Sequence, residues 1–236
     1  MLSACYAHRR MLVSLGLLIM IFLTFFVQTR LTDDAMENLG KSLSFLTFSQ
    51  PADSYSESID GHTTSSSDGA NLTASQRLIR VDSADRSQYY TNYQSQVWAY
   101  SSCSGIAMEM VMNAYGRHLI AADVLQVELN LGVWSVYGGL LRNDGIALTA
   151  SYFGFNTYSS DSMSLQTLIN AANRGTPVIV DVRDSYYFPG GHFFVVRGGD
   201  SQYVYIADSS PANFQRMTHA ELLGMWQGFG AILTPR

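Results

Sequence analysis

One cysteine of this chain stands where a thiol can become a nucleophile. The sequence holds two cysteines, and Cys103 opens the apolar helical pattern in QSQVWAYSSCSGIAMEMVMNAYG. A thiol attacks a carbonyl carbon only as its thiolate, and the free N–H groups and dipole of a helix N-terminus stabilise that anion. Cys103 is therefore a candidate nucleophile, and a neighbouring imidazole would complete its activation.

Among the five histidines, His192 is the best candidate for the base. It follows the glycine pair of PGGH and begins the strand pattern HFFVV, so another group can approach closely while the strand fixes the ring. Asp208 ends the next strand pattern, VYIAD. If the two strands pair around a turn at 198–201, His192 and Asp208 lie opposite each other. The carboxylate can then orient the imidazole, as in a papain-type triad of nucleophile, base and orienting residue.

Acyl transfer also needs a hydrogen-bond donor for the oxyanion that forms on attack. Gln96 lies seven residues before Cys103, in the segment that must wrap over the start of the helix. Its side-chain amide, together with the backbone N–H of Cys103, is the predicted donor pair. Gln94 is the competing choice, and the spacing favours Gln96.

Periodicity predicts the elements that would position these residues. Helices are expected at 103–115, 122–129, 143–153 and 164–173, and strands at 176–182, 192–198 and 202–208. Thr218 and Glu221 match a capping box that opens a last short helix, and AILT could be a closing strand. Helices come first and antiparallel strands second, which predicts an α+β fold.

Several segments in this order resemble one family of peptidases: QVWAYSSCSGIAMEMVMNAYG, RGTPVIVDV, GGHFFVVRGG, VYIADSSP and MWQGFGAIL. They are similar to the bacteriocin-processing, or double-glycine leader, peptidase-like family of papain-like cysteine peptidases. The resemblance covers about residues 89–236. It implies a papain-like α+β fold, with a helical part packed on an antiparallel sheet, and hydrolysis of peptide bonds through a thioester. By the same resemblance Cys103 is the nucleophile, His192 the base and acid, Asp208 the orienting residue and Gln96 the oxyanion donor.

The chain departs from the family pattern at two places. Many members have Gly-Pro or Glu after the cysteine, where this chain has Ser104-Gly105. Many also have Asp-Pro where this chain has Asp208-Ser209. The first departure bears on substrate preference, and the second on the rigidity of the loop after the orienting residue.

The N-terminal third predicts a membrane tether. Residues 11–27 form an uncharged, apolar run of 17 residues, and this length is the lower limit for a membrane span. Arg9 and Arg10 precede the run. We expect residues 1–10 in the cytoplasm, a signal anchor at 11–27, a flexible stalk at 28–77 and an extracytoplasmic peptidase domain at 78–236. Cleavage of the N-terminal segment would give a secreted protein instead, and residues 28–88 could act as a propeptide.

Composition excludes other classes of function. The formal net charge is -5, Lys41 is the only lysine and the arginines are scattered, so the sequence offers no basic surface for nucleic acid. No zinc-binding spacing of cysteine and histidine occurs, and the sequence implies no metal and no cofactor. The expected partners are a peptide or protein substrate and, through the N-terminal helix, the membrane.

Two other functions fit part of the pattern. SCSG resembles the DCSG of papain-like cell-wall endopeptidases, although Ser102 replaces the aspartate and the cysteine-to-histidine separation of those enzymes is usually much shorter. Alternatively, the domain is an inactive module that uses a papain-like cleft to bind peptides. In that case Cys103 would be a buried structural thiol.

Overall fold

The computed structural model of the protein describes residues 72–236. The helices are α1 (Ala74–Arg77), α2 (Asn92–Val97), α3 (Cys103–Ala114), α4 (Ala121–Asn130), α5 (Asp144–Tyr152), α6 (Leu165–Asn173) and α7 (His219–Met225). The strands are β1 (Trp134–Ser135), β2 (Gly139–Leu140), β3 (Phe155–Ser160), β4 (Val178–Asp184), β5 (Phe188–Gly199), β6 (Tyr203–Asp208), β7 (Arg216–Thr218) and β8 (Trp226–Pro235).

Strands β3 to β8 form one antiparallel sheet in the order β3-β8-β4-β5-β6-β7. Strands β1 and β2 form a separate hairpin. The long helices precede the central strands along the chain, so the predicted α+β class is confirmed. The predicted capping box is also present, since Thr218 and Glu221 cap the first turn of α7 reciprocally.

Helices cover both faces of the sheet. Side chains of a strand alternate between faces, and in β5 Phe193 and Val195 belong to a core with α3. Their neighbours Phe194 and Val196 face the other way and belong to a second core with α6 and α7. Helix α3 is buried almost all round, including the methionines that follow Cys103, so its first residue is held rigidly against the sheet.

Helices α1 and α2 and strand β7 were not predicted from the sequence, and neither were two further elements. Strand β3 pairs with β8 at the edge of the sheet, and only Phe155 of its six residues is fully buried. The polar sequence NTYSS lacks the alternation by which a strand is recognised. The β1–β2 hairpin is the second, and its strands of two residues each are too short to leave a periodic pattern.

The ordered domain begins before the predicted boundary at residue 78. Helix α1 lies within the expected stalk, and Thr73 and Gln76 form a capping box at its start. Ser75 is buried, and its backbone N–H and hydroxyl donate hydrogen bonds to the carbonyls of Gly175 and Ala172. The end of the predicted stalk is therefore part of the domain.

The predicted cytoplasmic segment at 1–10, the anchor at 11–27 and the stalk up to residue 71 lie outside the described residues. Within residues 72–236, no helix has the length and apolar character needed to cross a membrane.

Candidate active site

Cys103 is the first residue of α3, a helix of 12 residues. A turn of 3-10 helix, Ala99–Ser101, leads directly into it, and no side chain caps the helix at Ser102. The N–H groups of the first turn therefore keep their capacity to stabilise an anion at this end. Cys103 is a free thiol and is half-buried, so it combines a fixed position with access from the surface.

His192 and Asp208 meet directly. The Nε2 atom of His192 lies 2.8 Å from Oδ1 of Asp208. The imidazole is 8% exposed and the carboxylate is fully buried. The structure therefore brings together the two residues that the sequence paired, and water is excluded from the contact between them.

The register that produces this contact differs from the predicted one. Asp208 pairs with Phe194, not with His192, because β5 runs on to Gly199 and a register shift lies between Val196 and Gly198. His192 is two residues from Phe194 along β5, and its side chain consequently approaches Asp208 diagonally across the two strands. The predicted pair is correct, but the predicted direct opposition is wrong.

Asp208 is held as a carboxylate by donors other than the imidazole. The backbone N–H and the hydroxyl of Ser210 donate to it over 2.8 and 2.7 Å, and the N–H of Phe214 donates over 3.0 Å. Burial alone raises the pKa of Asp208, but the hydrogen bonds from His192 and Ser210 outweigh it and lower that pKa below its usual value. A negative charge therefore persists beside the imidazole.

The imidazole is charged because it stands between two acidic groups. Burial lowers the pKa of His192, yet the side chains of Asp208 and Cys103 oppose this effect and raise the pKa to about 9. Since Asp208 engages Nε2, the other ring nitrogen is the one available to the thiol. A positively charged imidazolium therefore lies beside the side chain of Cys103.

Aromatic rings fix the orientation of the imidazole. Phe188 stacks on His192 with ring centroids 4.4 Å apart and an interplanar angle of 8°. Phe194 meets the same ring edge-on, at 5.3 Å. The sequence pattern does not identify Phe188, although it lies only four residues before His192 on β5.

Arg80 ties the segment before α2 to the loop that follows Asp208. Its guanidinium donates hydrogen bonds to the backbone carbonyl oxygens of Asp208 and Ser210, over 2.6 and 2.9 Å. The backbone of Ser83 adds a bond to the carbonyl of Ser209. This clamp holds the loop of Ser209 and Ser210 in place, and no local pattern around Arg80 predicts it.

Cys103 and His192 line one cleft of about 650 Å³. The β1–β2 hairpin forms part of its wall, and Trp134 of that hairpin donates a hydrogen bond from Nε1 to the carbonyl of Ser101. Tyr100 and Tyr137 stand on the rim with 92% and 90% of their surface exposed. The side chain of Cys103 is therefore accessible to an extended chain.

Neither predicted glutamine lines this cleft. Gln96 is exposed on α2, and Gln94 accepts hydrogen bonds from the backbone at the start of the same helix, where it forms a capping box with Thr91. The structure thus unites three of the four predicted site residues and leaves Gln96 outside. Over residues 72–236, no group of His, Cys, Asp and Glu side chains is arranged to hold a metal ion.

Comparison with known proteins gives a family for this site. The sequence model of the Peptidase_C39 like family matches residues 81–232, which span Cys103, His192 and Asp208. No curated protein matches the chain.

Several solved structures are similar to it. The peptidase domain of Streptococcus ComA, a bifunctional ABC transporter involved in quorum sensing, aligns at 23% identity and a TM-score of 0.49, over 58% of this chain and 93% of that one. A putative C39-like peptidase from Bacillus anthracis aligns at 12% identity and a TM-score of 0.48, over 70% of this chain and 98% of that one. Because the family match extends over well more than half of the sequence, the chain belongs to the Peptidase_C39 like family of cysteine peptidases.

Proposed function

We propose that the protein hydrolyses peptide bonds with Cys103 as nucleophile, His192 as base and acid, and Asp208 as the orienting residue. The observation that carries the proposal is the 2.8 Å contact between His192 and the fully buried Asp208, with Cys103 beside the same imidazole in the wall of an open cleft. A thiol with a purely structural role would need neither a buried carboxylate beside the neighbouring imidazole nor access from the cleft.

The first half of the reaction transfers the acyl group to sulfur. The thiolate of Cys103 attacks the carbonyl carbon, and a C–S bond forms as the carbonyl π pair moves onto oxygen. Collapse of this intermediate breaks the C–N bond, and the proton on His192 passes to the leaving amine. A thioester and a neutral imidazole remain.

The second half returns the enzyme to its starting state. His192 removes a proton from water, and the hydroxide attacks the thioester carbon. The C–S bond breaks, the carboxylic acid product leaves and the thiolate–imidazolium pair is restored. Asp208 holds the imidazole in one orientation through both halves and stabilises its positive charge.

The backbone N–H of Cys103, at the start of α3, is our candidate donor for the oxyanion. The role of Gln96 stays a prediction. Its side chain would have to turn from the surface of α2 toward the cleft when substrate binds.

We also propose that the domain is tethered to a membrane by residues 11–27 and acts outside the cytoplasm on peptides or proteins. This part rests on the apolar run and on the arginines that precede it. Fractionation of cells that express the full chain, followed by protease treatment of intact cells, tests it. Domain found in the soluble fraction, or protected from added protease, would contradict the corresponding half of the proposal.

The second cysteine provides a matched control for the chemistry. We expect Cys103→Ala to abolish hydrolysis of casein and of a proteome-derived peptide library, whereas Cys5→Ala leaves it unchanged. Mass spectrometry of a reaction stopped with acid should detect an acyl adduct on Cys103 only. Activity that survives Cys103→Ala would overturn the proposal, and release of peptidoglycan fragments without cleavage of casein would point to cell-wall substrates.

A further inference from the structure

One carboxylate in the wall of the cleft has no role in the chemistry above. Asp181 lies on β4 and pairs with Phe193, the residue that follows His192 on β5. Asp181 lines the cleft that contains Cys103 and is half-buried. Burial raises the pKa of Asp181, and the charges of Arg183 and His192 oppose this effect; within residues 72–236 no side-chain hydrogen bond to Asp181 is present.

The glycine before His192 keeps this carboxylate accessible. Gly191 has a φ of +89°, a conformation that L side chains rarely adopt. A Cβ at this position would lie 3.9 Å from Oδ1 of Asp181 and 3.7 Å from Nη2 of Arg183. A larger side chain at 191 would therefore extend over both groups, whereas glycine leaves Asp181 facing the cleft.

Arg183 does not neutralise Asp181 in a closed pair. The two residues stand on the same face of β4, but no ion pair within 4.0 Å joins them among the described residues. Arg183 is exposed and retains the freedom of a long side chain. Arg183 also lines the cleft, and its positive charge lowers the pKa of Asp181 and so the cost of keeping the carboxylate charged.

Burying a carboxylate without a hydrogen-bond donor is unfavourable, and a cation that arrives in the cleft would relieve this cost. His192 gives its proton to the leaving amine, so a group near His192 contacts the part of the substrate that carries this amine. Asp181 lines the same cleft as His192. The group beside the imidazole therefore faces the residues that follow the cleaved bond.

We propose that Asp181 forms a cation-selective subsite that favours Lys or Arg immediately after the cleaved peptide bond. Asp181 is a specificity-determining residue, and neither nucleophile activation nor proton transfer needs it. Placement of this subsite after the cleaved bond rests on the proposed function, whereas the preference for a cation does not.

A test that needs no peptidase activity compares small thiol reagents of opposite charge. In the full chain with Cys5→Ala, Cys103 is the only thiol. We would measure its modification by aminoethyl, sulfonatoethyl and methyl methanethiosulfonate, which are cationic, anionic and neutral. Asp181→Asn should lower the cation-to-anion rate ratio by roughly fivefold, the size expected of one charge several ångströms away in a partly solvated cleft. The rate with the neutral reagent should stay the same.

Two variants serve as controls for charge. Asp200→Asn removes one negative charge at the turn between β5 and β6, at the other end of β5 from His192, and should leave the ratio unchanged. Arg183→Gln removes a positive charge beside the subsite and should raise the ratio. If Asp181→Asn behaves like Asp200→Asn, the proposal is wrong.

The peptide experiment assigns the position. Wild-type protein is incubated with a proteome-derived peptide library, and the new N-termini are sequenced by mass spectrometry. We expect Lys and Arg to be enriched at these N-termini, and this enrichment to disappear in Asp181→Asn while cleavage continues. Products without basic enrichment from the wild type would overturn the assignment. If Asp181→Asn loses the preference for the cationic reagent but the wild type shows no cleavage that depends on Cys103, the cation subsite is supported and the proposed function is contradicted.

Discussion

Replacement of Asp208 by asparagine should move the alkaline limit of activity to lower pH. Asparagine keeps the size and one acceptor oxygen but loses the charge. In the wild type, the pKa of His192 is raised from 6.5 to about 9, which corresponds to roughly 3 kcal/mol in favour of the imidazolium. Without the carboxylate, the burial of the ring dominates and lowers this pKa again.

The sign of the effect follows from the state that reacts. The imidazolium is lost as the pH rises through the pKa of His192, so kcat/KM should fall near pH 9 in the wild type and at least one pH unit lower in Asp208→Asn. At pH 7 we expect a loss of about 10²- to 10⁴-fold, as when the orienting carboxylate of a triad is neutralised. The assay is the pH profile of kcat/KM on one peptide cleaved by the wild type.

Ser210→Ala is the matched control for this experiment. It removes the hydroxyl bond to Asp208 but keeps the carboxylate and the backbone N–H bond. The alkaline limb should therefore stay within a few tenths of a unit of the wild-type position. An alkaline limb that is unchanged in Asp208→Asn would show that Asp208 does not set the charge of the imidazole, and would refute the reasoning.

Two further residues give separate predictions. Phe188→Leu keeps an apolar side chain but removes the planar stack on His192, so kcat should fall roughly tenfold while KM changes little; an unchanged kcat would contradict a positioning role. Glu128 is fully buried, and burial raises its pKa to about 8 although Ser104 donates a hydrogen bond to it. Folding therefore retains a proton that the unfolded chain releases above pH 4.5, so stability should fall as pH rises from about 4.5 to 8, by at most about 5 kcal/mol. Urea unfolding across this range should show a flatter profile in Glu128→Gln, and an identical profile would contradict the buried, protonated state.

The sequence predicts most of the site because its determinants are local. A helix that begins at Cys103, a strand that carries His192 just after two glycines, and a strand that ends at Asp208 can each be recognised from a few adjacent residues, although β5 itself begins at Phe188. The pairing of the last two then follows from a short connection. His192 and Asp208 meet although the strand register differs from the predicted one, because side chains on neighbouring strands can also meet diagonally.

The remaining features depend on contacts between distant segments. The register shift near Gly198 and the clamp by Arg80 leave no periodic signal, and the polar edge strand β3 resembles a loop. Gln96 shows the limit of spacing as an argument. Gln96 lies seven residues before Cys103, which is the spacing on which the prediction rests, but α2 presents its side chain to solvent.

The most direct test of the central claim is the pH dependence of Cys103 alkylation by iodoacetamide, with Cys5 of the same chain as an internal reference and His192→Ala as the comparison. An ordinary thiol has a pKa of about 8.5 and is almost fully protonated at pH 6. We predict that both cysteines of the denatured chain react slowly at pH 6. In the folded protein, Cys103 should react rapidly at this pH, and the His192→Ala variant should lose this rapid reaction. Slow alkylation of Cys103 that is indifferent to His192 would contradict an activated cysteine–histidine pair.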